Sequence, residues 1–319
     1  MPWRVGLDEA GYGPNLGPLV MSSTACHVPA DAPPCLWKML RKAVRKTHHV
    51  DDGRLTIDDS KKVNDGQTGL AKLEAGVLAA LSLGRGRPDT VREYLAVVAL
   101  GDSVDDLCCE PWFTPDDSLP AANPVDLLAA IIATVGKVSA AAGLIWGPVH
   151  SVVIPAPKFN RLLGEWRLKS GVLASGVIAL LNRTLDLPGD DAVHVTVDKL
   201  GGRHFYAPLL NEAFPGGWVR VIREGPDECE YAIDGLRREV HLRFEPRADG
   251  NHLNVALASM AAKYLREVCM MQFNRHWLAK IPGLKPTAGY PTDAGRFFEE
   301  IPGVLATDGI DERTVWRDR

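Results

Sequence analysis

The sequence predicts an α/β fold, and three observations carry that prediction. Short β-branched or apolar runs alternate along the chain with longer segments in which Ala, Leu and Val recur at helical spacing. Hydrophobic residues are 46% and charged residues 24% of the 319 positions, an ordinary globular composition that can bury a core unaided. Several of the apolar runs end at an acidic residue, and α/β folds place their chemistry at strand ends. One core domain over 1–319 is the organisation the pattern favours. Insertions into that domain are expected, and a helical part at 251–319.

Composition also excludes classes of function. Lys plus Arg is 36 and Asp plus Glu is 40, a net charge of −4, which argues against a non-specific nucleic-acid coat. An acidic, metal-filled nuclease pocket stays compatible with that balance. The one basic run, Arg41–His49, reads first as a solvated helix face and second as a phosphate tract. The six cysteines form no Cys-x-x-Cys pair, so neither a zinc framework nor a secreted disulfide pattern is expected. No uninterrupted apolar run is long enough for a membrane span, and no signal-peptide plan opens the chain. A soluble, cytoplasmic protein is the expectation.

The elements follow in order. Trp3–Asp8 reads as a first strand and Leu19–Val28 as a second. Between them, Gly11-Tyr12-Gly13-Pro14-Asn15-Leu16-Gly17-Pro18 forbids a helix and demands a tight connection. Leu36–Thr47 is expected as an amphipathic helix, and Thr68–Leu83 and Pro124–Ala142 as two more. The Asp-, Pro- and Cys-rich stretch Gly101–Asn123 reads as a long loop or an insertion. Leu144–Ile154 is a strand candidate. Phe159–Leu185 reads as one long helix whose small residues pack closely beneath a sheet. Ala192–Val197 is a β-branched core strand that stops at Asp198. Trp218–Arg223 is another strand, and Glu228–Phe244 a hairpin or two edge strands. Asn251–Lys280 is a long helix with Asp249 as N-cap, and Thr292–Ile301 a shorter one.

Four acids stand out on physical grounds. Asp8 and Glu9 sit where the first strand meets the Gly-rich turn. Neighbouring strand residues point to opposite faces, so both reach one site only if the chain bends there, as Gly11 and Gly13 permit. Asp198 closes the most hydrophobic strand. Glu267 shares a helix face with Leu253, Ala256, Met260, Lys263, Tyr264 and Met271, a largely apolar stripe expected to face inward. Clustered carboxylates repel each other and persist when divalent cations neutralise them. Two hard cations can then assist phosphodiester cleavage. Taken singly, Asp8 reads equally well as a turn former, Glu9 as a surface acid, Asp198 as a cap and Glu267 as an ion-pair partner of Lys263.

The surrounding residues add a resemblance. Gly6-Leu7-Asp8-Glu9-Ala10-Gly11-Tyr12-Gly13-Pro14, followed by Gly17-Pro18-Leu19-Val20, resembles the opening motif of type 2 ribonucleases H, the ribonuclease HII family. Asp59-Ser60-Lys61-Lys62-Val63 looks like that family's D-S-K-K-L. The strand ending at Asp198, after a long Ala/Leu helix, is a third match. Ala258-Ser259-Met260-Ala261-Ala262-Lys263-Tyr264-Leu265-Arg266-Glu267 is similar to A-S-[IL]-x-A-K-x-x-R-D. The matches fall in the family order and cover about half of the chain.

The resemblance implies an RNase H-like mixed sheet flanked by helices. It implies an endoribonuclease using two Mg²⁺ or Mn²⁺ ions and no organic cofactor. Its partner would be an RNA–DNA hybrid or a DNA duplex containing ribonucleotides, cut to leave 5′-phosphate and 3′-hydroxyl ends. Asp8, Glu9, Asp198 and Glu267 would be the catalytic and metal-binding carboxylates. Gly11, Tyr12 and Gly13 would lie against the ribose 2′-hydroxyl, which separates RNA from DNA at one nucleotide. Ser60, Lys61 and Tyr290, the last in Gly289-Tyr290-Pro291-Thr292, would complete the substrate contacts.

The sequence departs from the pattern at four places. Tyr12 replaces the family arginine, and Glu267 stands where most members have Asp. Lys199-Leu200-Gly201-Gly202 follows Asp198 and adds a cation beside the metals. The chain is also longer than typical bacterial members, and the resemblance implies that the excess lies in insertions at 66–145 and 228–248. These departures keep a second reading open, a hybrid-binding protein of weak or absent catalysis on the same fold.

Overall fold

The computed structural model describes residues 1–47, 52–201 and 203–318. Part of the basic run Arg41–His49 and Gly202 of the Lys-Leu-Gly-Gly segment therefore lie outside the described residues. In chain order the first elements are β1 (Trp3–Ala10), β2 (Leu19–His27), α1 (Leu36–Leu40), β3 (Val44–Arg45), β4 (Leu55–Thr56) and α2 (Ser60–Val63). Next come α3 (Gly69–Arg85), α4 (Val91–Val98), α5 (Ser103–Cys108), α6 (Val125–Ala141), β5 (Ile145–Ile154), α7 (Ala156–Trp166) and α8 (Lys169–Arg183). Then follow β6 (Val193–Asp198), α9 (Ala207–Ala213), β7 (Trp218–Arg223), β8 (Cys229–Asp234) and β9 (Val240–Glu245). The chain continues through α10 (Ala248–Asn251), α11 (Leu253–Lys280), α12 (Pro291–Glu300), α13 (Pro302–Asp308) and α14 (Glu312–Val315).

The architecture is the expected mixed sheet flanked by helices. Among the described residues it has seven strands in the order β5-β2-β1-β6-β9-β8-β7. β1 runs antiparallel to β2, and β2 to β5, while β1, β6 and β9 are parallel. The C-terminal ends of β5, β1, β6 and β9 thus share one end of the sheet, where acids can be brought together.

Helices cover both faces. On one, α11 crosses β1 and β2 so closely that a Cβ on Gly6 would meet the Asn254 carbonyl carbon at 2.2 Å. Thr24 Oγ1, buried in β2, donates to the Asn254 carbonyl (2.7 Å), so the polar residues of β2 are satisfied there. On the other face α8 and α9 bury Val5, Leu7, Val195 and Val197. A third cluster around Trp112, Phe273, Trp277 and Phe297 seats the segment after α11.

Glu228–Phe244 is the expected hairpin, β8 and β9, with β9 inside the sheet beside β6 and β7 at the edge. Four expectations need correction. Leu36–Thr47 is helical only to Leu40. Val44 and Arg45 leave it to pair with Leu55 and Thr56, a pairing outside the helix's own sequence. Phe159–Leu185 is two helices. Arg167 adopts a left-handed φ of 58°, and the missing Cβ of Gly171 makes room for the Trp166 side chain at the break. Gly101–Asn123 contains α5. The N-cap of α11 is His252, because α10 intervenes and takes Asp249 into its own turn.

Candidate active site

The register decides which acids meet. Leu7 lies opposite Val197 on parallel strands, so the next residues, Asp8 and Asp198, are neighbours at the same end of the sheet. Both are half-buried. The strand runs straight through Glu9 to Ala10, and the turn begins only at Gly11. Glu9 nevertheless reaches the pair. It feels the charge of Asp198 and is bonded to Asp8, whose Oδ1 accepts the Glu9 backbone N–H (2.8 Å).

Electrostatics marks the three as a cluster without enough positive charge. The Asp8 carboxyl is pushed well above the ordinary carboxylate range by burial and by the charges of Glu9 and Asp198, against a hydrogen bond from Ser259. Glu9 is raised to about 7 by burial and the Asp198 charge. Burial raises Asp198 too. The Ala248 N–H (2.9 Å to Oδ1), other backbone amides and Lys61 oppose that shift. Asp249 is raised to about 6 by burial and by Asp59 and Asp198. Oxygen donors that raise one another's pKa are the set a hard divalent cation neutralises, so the side chains fit Mg²⁺ or Mn²⁺ by chemistry. Among the described residues, no three His, Cys, Asp or Glu side chains are arranged to hold a metal ion.

Glu267 is held by a lysine of its own helix. Its Oε1 sits 2.6 Å from Lys263 Nζ, the i,i+4 ion pair that its spacing allows. Met271 on the same helix face is exposed, so the stripe turns out of the core at its end. The cation that acts on Glu9 and Asp198 is Lys61, exposed at the start of α2. Lys199, expected beside the metals, instead donates to the carbonyls of Gly225 and Pro226 (both 2.7 Å). Ser60 is buried, and its hydroxyl is bonded to that of Ser259 (2.9 Å), which ties α2 to α11 and to Asp8.

The Gly-rich turn lies against the cluster. Gly11 has φ +89°, and a Cβ there would stand 2.5 Å from the Pro18 carbonyl oxygen. Gly13 has open space around it, so the turn does not require glycine at that position. Tyr12 is half-buried against the α8 side of the sheet, and burial and the Glu9 charge raise its hydroxyl pKa. Tyr290 is exposed beside the turn, because Gly289 O accepts the N–H groups of Asn15 (2.8 Å) and Leu16 (3.3 Å).

Sequence reasoning missed Ser259, Asp249 and Arg266 as contributors. Ser259 and Arg266 lie inside the quoted motif, the signal that was there to use. Arg266 is buried and its Nη2 donates to Leu16 O (3.1 Å) and Ala288 O (3.0 Å), fastening the turn to the Tyr290 segment. Nothing local marks Asp249, which needs the β9–α10 connection to bring it beside Asp198.

No family model matches this sequence, and no curated protein does. Over nearly its whole length the chain is similar to solved ribonuclease HII and HIII structures at low identity. Ribonuclease H2 from Pyrococcus horikoshii OT3 is 16% identical, with 98% of this chain and 92% of that chain covered and a TM-score of 0.48. The PCNA:RNase HII complex from Archaeoglobus fulgidus gives 14%, 99% and 94%, and 0.43. Bst-RNase HIII in complex with Mn²⁺ gives 14%, 99% and 65%, and 0.42. Among the described residues no helix is long and apolar enough to cross a membrane.

Proposed function

We propose that this protein is a divalent-metal-dependent endoribonuclease of the ribonuclease HII type. It hydrolyses RNA in RNA–DNA hybrids or at ribonucleotides embedded in DNA, and leaves 5′-phosphate and 3′-hydroxyl ends. The observation that carries the reading is the meeting of Asp8, Glu9 and Asp198 at the ends of two adjacent parallel strands, where burial raises all three pKa values and the Asp198 charge adds to the shifts of Asp8 and Glu9. Asp8, Glu9 and Asp198, joined by Glu267, would hold Mg²⁺ or Mn²⁺. Such ions, when bound, activate water and stabilise a leaving oxygen. The chain's own residues do the rest. Ser259 and Ser60 orient Asp8, backbone amides orient Asp198, and Lys61 supplies positive charge to an incoming phosphate. The backbone of Gly11, Tyr12 and Gly13 would meet the ribose 2′-hydroxyl, with Tyr290 packing on the neighbouring nucleotide.

A cleavage assay tests this on three labelled duplexes: a full RNA–DNA hybrid, DNA with one ribonucleotide, and plain DNA. Each is run with Mg²⁺, Mn²⁺ and EDTA, beside Asp8→Asn. Metal-dependent cutting of a ribonucleotide-containing duplex, lost in the variant, is the expected result. Metal-dependent cutting that survives in Asp8→Asn would remove the mechanism. The second reading, a hybrid-binding protein without turnover, is favoured by the Lys263–Glu267 ion pair, which engages the fourth carboxylate. It predicts binding of the same duplexes with no product.

A further inference from the structure

The Gly-rich turn is fastened by a segment about three hundred positions away. Arg317, 1% exposed, donates from Nη2 to the Gly11 carbonyl (2.8 Å) and to the Pro14 carbonyl. Its backbone N–H donates to Asn15 O (2.9 Å), and Asn15 Nδ2 donates back to Arg317 O (3.1 Å). Leu16 and Trp316 form an antiparallel bridge beside them. The strap has its own anchor in α7. Asn160 Nδ2 donates to Arg313 O (3.1 Å) and Trp316 O (2.8 Å), and its Oδ1 accepts the Asp318 N–H (2.8 Å). The guanidinium lies over the Phe159 ring, 5.0 Å from its centroid.

This is an expensive way to hold a turn. Burial and the charge of Arg266 both work against the Arg317 cation. Glu110, the acid that acts on it, is buried, accepts from Trp112 Nε1 (2.9 Å) and has its own pKa pushed up to about 8 by burial. An apolar side chain of similar volume would fill the space at lower cost. What only arginine supplies is N–H groups aimed at the two carbonyls that flank Tyr12-Gly13.

We propose that Arg317 is a positioning residue that presets the Gly11–Leu16 backbone for the substrate sugar, acting through the turn without touching substrate. The inference rests on the ribonuclease reading for what the turn contacts, and on the hydrogen bonds above for the coupling itself.

The test pairs Arg317→Met, which keeps the stem and removes the donors, with Arg317→Lys, which keeps a charge and one donor direction. Hydrogen exchange of the peptide spanning the turn is measured beside kcat and KM on the single-ribonucleotide duplex. In Arg317→Met, exchange within 11–17 is expected to rise at least about tenfold while β2 and α11 keep their protection. kcat is expected to fall about 10- to 100-fold with KM within about threefold, and Arg317→Lys to recover part of both. Unchanged protection of the turn in Arg317→Met would overturn the proposal. So would protection lost equally across β2 and α11, or no recovery with lysine. If the wild-type protein cuts no duplex, the ribonuclease reading fails alone, and the exchange measurement still decides whether Arg317 presets the turn.

Discussion

Two groups of charge are withdrawn from water within one turn of each other, and they are treated in opposite ways. Asp8, Glu9 and Asp198 are brought together out of water, so their carboxyl pKa values rise above the ordinary range, that of Glu9 to about 7. Arg266 and Arg317 are buried more deeply, and each directs its Nη2 to backbone carbonyls of the turn or its neighbour while, among the described residues, its Nε and Nη1 stay without a hydrogen-bond partner. The comparison separates two uses of buried charge. A cluster of like charges is prepared for a counter-charge from outside, whereas a cation that ties carbonyls of two segments together is a brace.

The sharpest way to break this comparison is Asp8→Asn. If the acids await a cation, nuclease activity should fall at least about a thousandfold while the fold persists, as rates and circular dichroism would report. Arg266→Ala tests the other side. It leaves the carbonyls of Leu16 and Ala288 without donors, and denaturant unfolding should show a loss of about 3 kcal/mol. A loss confined to activity would make Arg266 part of the acidic site and not of the frame.

The turn between the two groups gives a smaller effect. Gly11→Ala forces a side chain into a left-handed backbone against Pro18 O and should cost about 2–3 kcal/mol. Gly13→Ala, in open space, should stay within about 0.5 kcal/mol of wild type in the same melts.

The smallest effect concerns metal-free stability. Glu9 has a folded pKa of about 7 against an ordinary 4.5, so the folded state binds the proton more tightly than the unfolded chain. Stability without metal should therefore be greatest below the ordinary value and decline as pH rises through about 7. Asp8→Asn removes a buried carboxyl that burial and the charges of Glu9 and Asp198 push above its ordinary range. At pH 8 without metal, its Tm should exceed wild type by about 1–3 °C, and the difference should vanish near pH 4.5. A Tm difference that ignores pH would argue against charge repulsion as its cause.

Much of the fold was legible because the signals were local. β-branched runs announced β1, β2, β5, β6 and β7, and apolar periodicity announced α3, α6 and α11 within a residue or two of their ends. The failures have separate causes. Val44 and Arg45 follow a helical pattern but pair with Leu55 and Thr56, a partner outside the segment that outweighed local preference. Arg167 breaks a continuous apolar helix at a residue without glycine's freedom, where Trp166 packs over Gly171.

By itself the sequence determined which residues carry chemistry-bearing side chains at strand ends and on one helix: Asp8, Glu9, Asp198 and Glu267. Such positions follow from short-range pattern. Only the tertiary structure decided who meets whom. Register joined Asp8 to Asp198. The crossing of remote segments set Asp249 beside Asp198 and Arg317 beneath the turn. The reason is physical. Charge–charge energies and the cost of burial depend on distance in space and on exclusion of water, and neither quantity is written in the spacing of residues along the chain.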